Sequence, residues 1–147
     1  MNKALSLAVA ATLSCASLNS EAQTMIGKTT DVAAIANGDR MNAETLWAMG
    51  RIGGAAASPD GKTVVYQVGY YSVKQNKSHQ MLYTVSADGK KQCALTTTAA
   101  SETDATWIDG GKRIAFLTGG QLWSMNADGT DRRQLTKSEI DIEGYIF

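Results

Sequence analysis

Few residues in this sequence could take part in catalysis. His79 is the only histidine among the 147 residues, so it alone could act as a general base. It lies in the polar stretch NKSHQ with no nucleophile signature beside it, and no serine has the Gly-x-Ser-x-Gly setting of a nucleophile elbow. We therefore expect His79 to be an exposed loop histidine, and we predict no catalytic residue in this chain.

Metal and cofactor sites are also not indicated. The stretch SMNADGTDRRQL places Asn126, Asp128 and Gly129 at a spacing suited to a calcium loop. Its first position is Ser124, however, and its twelfth, which requires a bidentate glutamate, is Leu135. There is no Gly-rich phosphate loop and no Cys/His cluster. The sequence predicts no cofactor and no metal, and the Asp-Gly pairs are interpreted as hairpins.

These Asp-Gly pairs belong to an internal repeat. Asp88-Gly89 matches Asp128-Gly129, and Leu95-Thr96 matches Leu135-Thr136, both at a spacing of 40 residues. Upstream, Gly61-Lys62 matches Gly111-Lys112 at a spacing of 50. The ten additional residues are assigned to the twelve-residue stretch 69–80 of the first copy, which we expect to be an inserted surface loop. A period of this length is typical of repeat architectures.

Each copy contains four short extended segments separated by turns, and the second and third segments are rich in branched and aromatic residues, as strands are. Four antiparallel strands in about 40 residues are typical of one propeller blade. We expect an all-β fold: a partial β-propeller of two four-stranded antiparallel blades and the start of a third. We expect two-residue hairpins at the Asp-Gly pairs 88–89 and 128–129. The expected structural turns contain Asp60, Gly61, Asp88, Gly89, Gly111, Asp128 and Gly129.

The predicted segments follow one another along the chain. A short helix with Asn42 as N-cap and Gly50 as its end is expected to pack on the sheet through Leu46, Trp47 and Met49. Phe147 stands 40 residues after Trp107, so we expect the chain to stop inside a third blade. The boundaries are a signal peptide at 1–22, a linker at 23–41, the helix and lead-in at 42–54, blade 1 at 55–96, a connection at 97–104, blade 2 at 105–136 and a truncated blade 3 at 137–147.

The amino terminus has the layout of a secretory signal peptide. Lys3 precedes an apolar run of about ten residues, and Ser20 and Ala22 provide a small-residue cleavage site. We expect export to the periplasm or the medium. A less favoured alternative is a lipoprotein with Cys15 as the modified residue. The apolar run is too short for a membrane span.

The charges of the fourteen basic and fourteen acidic residues cancel, which argues against nucleic-acid binding. The paired basics Lys90-Lys91 and Arg132-Arg133 are interpreted as solvated strand starts.

The stretches LWAMGRIGGAAASPDGK and GGQLWSMNADGTDRRQLT resemble the amino-terminal propeller of exported bacterial serine peptidases of the prolyl oligopeptidase family, above all dipeptidyl and acylaminoacyl peptidases. The resemblance covers residues 42–147. The blades are also similar to those of TolB-like periplasmic propellers. The second copy has WIDGGK where that pattern has WSPDGK.

The resemblance to the peptidases implies a non-catalytic lid that admits short peptides to an α/β-hydrolase domain carrying a Ser-Asp-His triad. The implied partners are that downstream domain and peptide substrates. The resemblance to TolB implies instead a periplasmic binding or scaffold propeller with no catalysis. A Gly-x-Ser-x-Gly motif in the codons after 147 would distinguish the two.

Overall fold

The computed structural model describes residues 41–73 and 75–147, so the predicted signal peptide and nearly all of the predicted linker lie outside the described residues. Within these ranges one helix, α1 (Ala43–Ala48), precedes eight strands, and a 3₁₀ turn spans Asp109–Gly111 between the fifth and sixth strands. The strands are β1 (Arg51–Ala57), β2 (Thr63–Ser72), β3 (Lys77–Ser86), β4 (Gln92–Ala94), β5 (Thr103–Ile108), β6 (Arg113–Thr118), β7 (Gln121–Asn126) and β8 (Arg133–Gln134).

Helix α1 begins where the sequence predicts. The Oδ1 atom of Asn42 accepts hydrogen bonds from the backbone N–H and the hydroxyl of Thr45, at 2.7 and 2.8 Å, which confirms Asn42 as the N-cap. The expected packing is only partly correct. Met49 is half-buried and Thr45 is buried, but Leu46 and Trp47 are 44% and 41% exposed. A helix of six residues has room for little more than one buried position on its inner face.

The strands form two four-stranded antiparallel sheets, in the orders β1-β2-β3-β4 and β5-β6-β7-β8. The mostly β, two-sheet architecture predicted from the repeat is therefore confirmed. Strand β1 begins at Arg51, four residues ahead of the predicted start of blade 1 at 55, and β5 begins at Thr103, two residues ahead of the predicted start of blade 2 at 105. Each first strand pairs with the second across a register shift, between Ile52 and Ala55 in the first sheet and between Thr103 and Thr106 in the second.

Residues 69–80, predicted as an inserted surface loop, instead extend a hairpin. The β2–β3 pairing continues without a break from Gly69–Gln80 to Ser72–Lys77. The polar composition of this stretch favours a loop in sequence terms, but backbone pairing does not depend on side-chain polarity. The loop prediction is therefore wrong.

The same pairing corrects the prediction for His79. This residue lies on β3 opposite Tyr70 and is 1% exposed, so it is neither exposed nor in a loop. Strand side chains alternate between faces, and His79 has the same parity as Met81 and Tyr83, which are also buried.

The main core lies between the two sheets. Buried side chains of the first sheet pack against buried side chains of the second, with the partly buried Trp107 and Trp123 beside them. The Trp107 indole N–H also donates a 2.9 Å hydrogen bond to the Ala56 carbonyl, which joins β5 to β1. The core residues are Val65, Leu82 and Leu95 from the first sheet and Ile114, Phe116 and Met125 from the second.

A second cluster contains Tyr66, Val68, Met81 and Tyr83. Its two rings, Tyr66 and Tyr83, stack at 5.7 Å. Since Tyr66 and Val68 alternate with the core residue Val65 along β2, this cluster occupies the face of the first sheet that points away from the second sheet.

Candidate functional site

Each turn containing an expected Asp is organised by its carboxylate. Asp60 Oδ1 accepts a 2.6 Å hydrogen bond from the Ser58 hydroxyl and a 3.1 Å bond from the Lys62 backbone N–H. The Ser58 hydroxyl oxygen in turn accepts a 3.0 Å bond from the Thr63 N–H. These bonds to the carboxylate, above all the one from the Ser58 hydroxyl, hold the pKa of Asp60 below its usual range.

The turn between β3 and β4 repeats this arrangement. Asp88 Oδ1 accepts bonds from the Ser86 hydroxyl at 2.5 Å and from the Lys90 N–H at 3.1 Å, and the Ser86 oxygen accepts from the Lys91 N–H at 3.0 Å. The pKa of Asp88 is lowered for the same reason, chiefly by Ser86. The motif Ser-x-Asp-Gly-Lys therefore specifies one turn structure twice. The Asp and Gly of this motif are predicted turn residues, whereas the role of the serine emerges only from the structure.

The third Asp turn uses a different hydroxyl. Asp128 Oδ1 accepts from the Thr130 hydroxyl at 2.6 Å and from the Thr130 N–H at 3.0 Å, which lowers the pKa of Asp128. The Asp carboxylates thus bind their own turns. Among residues 41–73 and 75–147, no group of three His, Cys, Asp or Glu side chains is placed to hold a metal ion.

The turn glycines have the positive φ that the sequence analysis assumed, but the Asp-Gly loops are longer than predicted. Gly89 and Gly129 have φ of 74° and 86°. The closing backbone bonds run from Ser86 N to Lys91 O and from Asn126 N to Thr130 O, so four and three residues lie within the loops. The expected two-residue hairpins are therefore wrong here. Gly61 and Gly111 have φ of 68° and 89°.

The repeated Leu-Thr pairs have a clear structural role. Leu95 N donates to Leu82 O at 2.8 Å, while the Thr96 hydroxyl oxygen accepts from Leu82 N at 2.9 Å. The second copy forms the same pair of bonds, at 2.8 and 2.9 Å, between Leu122 and the pair Leu135-Thr136. These bonds extend each fourth strand past its last ladder residue, and they confirm the internal repeat in three dimensions.

The repeat continues beyond Thr136. Glu102 N donates to Gln80 O at 3.0 Å, and 40 residues later Ile142 N donates to Gly120 O at 2.9 Å. Tyr145 then reaches back to the second sheet, where its hydroxyl donates to the Ala115 carbonyl at 2.9 Å. The segment after the second sheet therefore makes the same backbone contact with that sheet as residues 97–104 make with the first sheet.

A buried polar cluster lies at the junction of the two sheets. The Glu102 side chain is 1% exposed and forms an ion pair with Arg132. The same oxygen, Oε1, accepts a 3.0 Å bond from the Thr98 hydroxyl. The Arg132 guanidinium lies over the Phe116 ring, 4.9 Å from its centroid. Arg132 was expected to be a solvated strand start, so that prediction is wrong for Arg132, while Lys90, Lys91 and Arg133 are exposed.

His79 borders this cluster. Burial lowers the pKa of His79, while the Glu102 carboxylate and the Ala99 backbone oppose the shift. In the described part of the chain, His79 Nε2 and Glu102 Oε2 are buried without a hydrogen-bond partner. No described serine or cysteine hydroxyl or thiol is bonded to His79, so the geometry gives no nucleophile–base pair.

A groove lies beside α1, at the end of the first sheet. Arg51 projects from β1 with its guanidinium carbon 4.8 Å from the centroid of the Trp47 ring and 4.5 Å from that of Tyr71. The two rings meet edge to face at 5.9 Å. The groove has a volume of about 460 Å³, and its wall continues over the β2–β3 hairpin end, including Asn76 and Lys77. The sequence favours packing for Trp47, with a ligand role as the less favoured alternative. The signal for the contact with Arg51 is the Trp-x-x-x-Arg spacing at the end of a short helix.

The chain is similar in sequence to two bacterial dipeptidyl peptidases. It is 43% identical over 111 residues to dipeptidyl-peptidase 5 of Porphyromonas endodontalis, and 40% identical over 87 residues to dipeptidyl-peptidase 5 of Porphyromonas gingivalis. The matches cover 73% and 58% of this chain but only 16% and 13% of the relatives. No protein-family model matches the chain.

These similarities agree with the part of the sequence resemblance that concerns dipeptidyl peptidases. The matched region spans about a sixth of the first relative. No helix in the described ranges is long and apolar enough to cross a bilayer.

Proposed function

We propose that this chain is the non-catalytic amino-terminal part of an exported dipeptidyl peptidase of the prolyl oligopeptidase family. The 43% identity to dipeptidyl-peptidase 5 of Porphyromonas endodontalis carries the proposal. The buried His79, which lacks a bonded nucleophile, supports a role other than catalysis for the described residues.

Within this proposal, the two sheets are the first two blades of a β-propeller. The repeated Leu-Thr bonds and the packing of one sheet face on the next support it, because propeller blades stack in this way. The path of residues 137–147 over the second sheet supports a third blade. The ring would lie over an α/β-hydrolase domain and admit only short oligopeptides to its serine nucleophile.

The test is to express the complete reading frame that contains these codons and to assay it. We expect a downstream Gly-x-Ser-x-Gly, followed by Asp and His in that order, and hydrolysis of dipeptidyl chromogenic substrates that a serine-directed inhibitor abolishes. A frame that closes the ring and ends without such a serine would contradict the peptidase proposal and favour a TolB-like scaffold.

A further inference from the structure

The groove beside α1 contains two cationic side chains, Arg51 and Lys77. Neither takes part in any ion pair or side-chain hydrogen bond formed by the described residues, whereas the other described arginines, Arg113, Arg132 and Arg133, all form ion pairs. No aspartate or glutamate among the described residues lines the groove. Within residues 41–73 and 75–147 the charge of the groove is therefore uncompensated.

The Arg51 guanidinium is held in position although it has no hydrogen-bond partner there. Its guanidinium carbon lies within 5 Å of the centroids of two aromatic rings, which attract the cation, and an arginine held in this way loses less side-chain entropy when it binds a carboxylate through two N–H groups. Trp47 and Tyr71 thus place a fork of N–H donors at the groove.

Exposed apolar side chains surround these cations. Val73 lines the groove and is 65% exposed, and Trp47 is 41% exposed. Met41, Leu46 and Ile52, which are near in sequence to Trp47 and Arg51, are also exposed. Exposed apolar residues grouped around polar ones are typical of protein interaction sites. The wall also offers the Asn76 amide and the hydroxyls of Ser72 and Ser78, which suit a peptide backbone.

We propose that this groove binds an acidic peptide segment, with one carboxylate on Arg51, a second acidic group near Lys77 and an apolar side chain against Trp47 and Val73. Charge complementarity selects the occupant, since the described residues of the wall include cations and no acids. The proposal stands whether or not the chain is part of a peptidase.

The test uses ¹⁵N–¹H spectra of the 147-residue chain titrated with the peptide acetyl-Ala-Glu-Glu-Leu-Ala-amide, whose ends carry no charge. The chain has three tryptophans. We expect the Trp47 indole signal to shift while those of Trp107 and Trp123 stay in place, and we expect added salt to weaken binding. The variant Trp47→Phe assigns the signal.

Two variants and a matched control test the residues. We expect Arg51→Gln and Lys77→Gln each to weaken binding about three- to tenfold, the range set by exposed and bidentate ion pairs. Lys112→Gln removes the same charge outside the groove and should leave the affinity unchanged. Unshifted Trp107 and Trp123 signals show that each variant is folded, and Lys77→Gln tests the proposal independently should Arg51→Gln not fold.

Three results would overturn the proposal. The first is no Trp47 shift with the acidic peptide. The second is equal binding of acetyl-Ala-Gln-Gln-Leu-Ala-amide, which would make charge irrelevant. The third is tighter binding of polygalacturonate at the same carboxylate concentration, which would assign the groove to acidic polysaccharide rather than to peptide.

Discussion

Arg132 and Glu102 form an ion pair that ties the segment linking the two sheets to the outer edge of the second sheet. Glu102 directly precedes β5 and Arg132 directly precedes β8. The Arg132 guanidinium lies over the ring of Phe116, which belongs to the core between the two sheets. The relative placement of the two sheets therefore depends on a charged contact as well as on apolar packing.

Removing either partner of this pair should destabilise the chain, but not equally. The Glu102 side chain is 1% exposed and that of Arg132 is 27% exposed. Arg132→Gln leaves a buried carboxylate without its cation and should cost about 2–4 kcal/mol of unfolding free energy, whereas in Glu102→Gln the arginine can reach water and the cost should be about 1–2 kcal/mol. Urea denaturation measures both. Arg133→Gln, at an exposed ion pair, is the control and should change stability by less than about 1 kcal/mol. Equal losses would contradict the proposed asymmetry.

The stability of the chain should fall as the pH decreases through 6.5. Burial lowers the pKa of His79 below its ordinary value of 6.5, so the unfolded chain binds a proton that the folded chain does not. Stability therefore rises with pH between the folded pKa and 6.5, and the contribution of neutral His79 is fully present above 6.5. Denaturant midpoints measured from pH 8 to pH 5 test this.

His79→Asn is the control for that measurement, because it cannot take up the proton. Its stability should be nearly flat over this range, since the pKa values of Asp60, Asp88, Asp128 and Asp131 are all lowered and these groups titrate in more acidic solution. The same slope in both proteins would assign the pH dependence to another group.

The two equivalent turn glycines should differ in their tolerance of a side chain. Gly89 and Gly129 both have positive φ, so valine at either position should cost about 1–3 kcal/mol through backbone strain. A Cβ atom at Gly129 would also lie 2.8 Å from the Leu95 carbonyl oxygen in the first sheet, whereas at Gly89 it would meet nothing within 4 Å. We expect Gly129→Val to lower the melting temperature more than Gly89→Val does. A larger decrease in melting temperature for Gly89→Val would mean that the Leu95 carbonyl does not restrict the side chain at position 129.

The 147-residue polypeptide should not hydrolyse dipeptidyl chromogenic substrates. It contains no Gly-x-Ser-x-Gly, and its one histidine is buried on β3. The assay is release of the chromophore by the purified chain. His79→Asn serves as a background control, and turnover that a serine-directed inhibitor blocks would refute the prediction.

Export should remove residues 1–22. The basis is Lys3, the short apolar run and the small residues at Ser20 and Ala22. Mass spectrometry of the exported protein should find Gln23 at the new amino terminus. A lipid-modified Cys15 would instead support membrane anchoring.

The sequence by itself determined the repeat, the strands and the helix start. These features depend on local chemistry: branched residues in alternating strands, glycine at positive φ and the Asn42 side chain at a helix end. Gly119 and Gly120 likewise form a two-residue link between β6 and β7, with φ of 56° and 68°.

The tertiary structure alone decided which polar residues are buried and which cations are left without partners. His79 and Glu102 lie in polar stretches that are typical of exposed segments, yet both are buried, His79 on the paired strand β3 and Glu102 beside Arg132. Arg132 and Arg51 are both arginines at strand starts, but Arg132 faces Glu102, 30 residues away, whereas Arg51 lies against the rings of Trp47 and Tyr71. Burial and pairing of charges depend on residues far apart in the chain, and a local pattern carries no information about those distances.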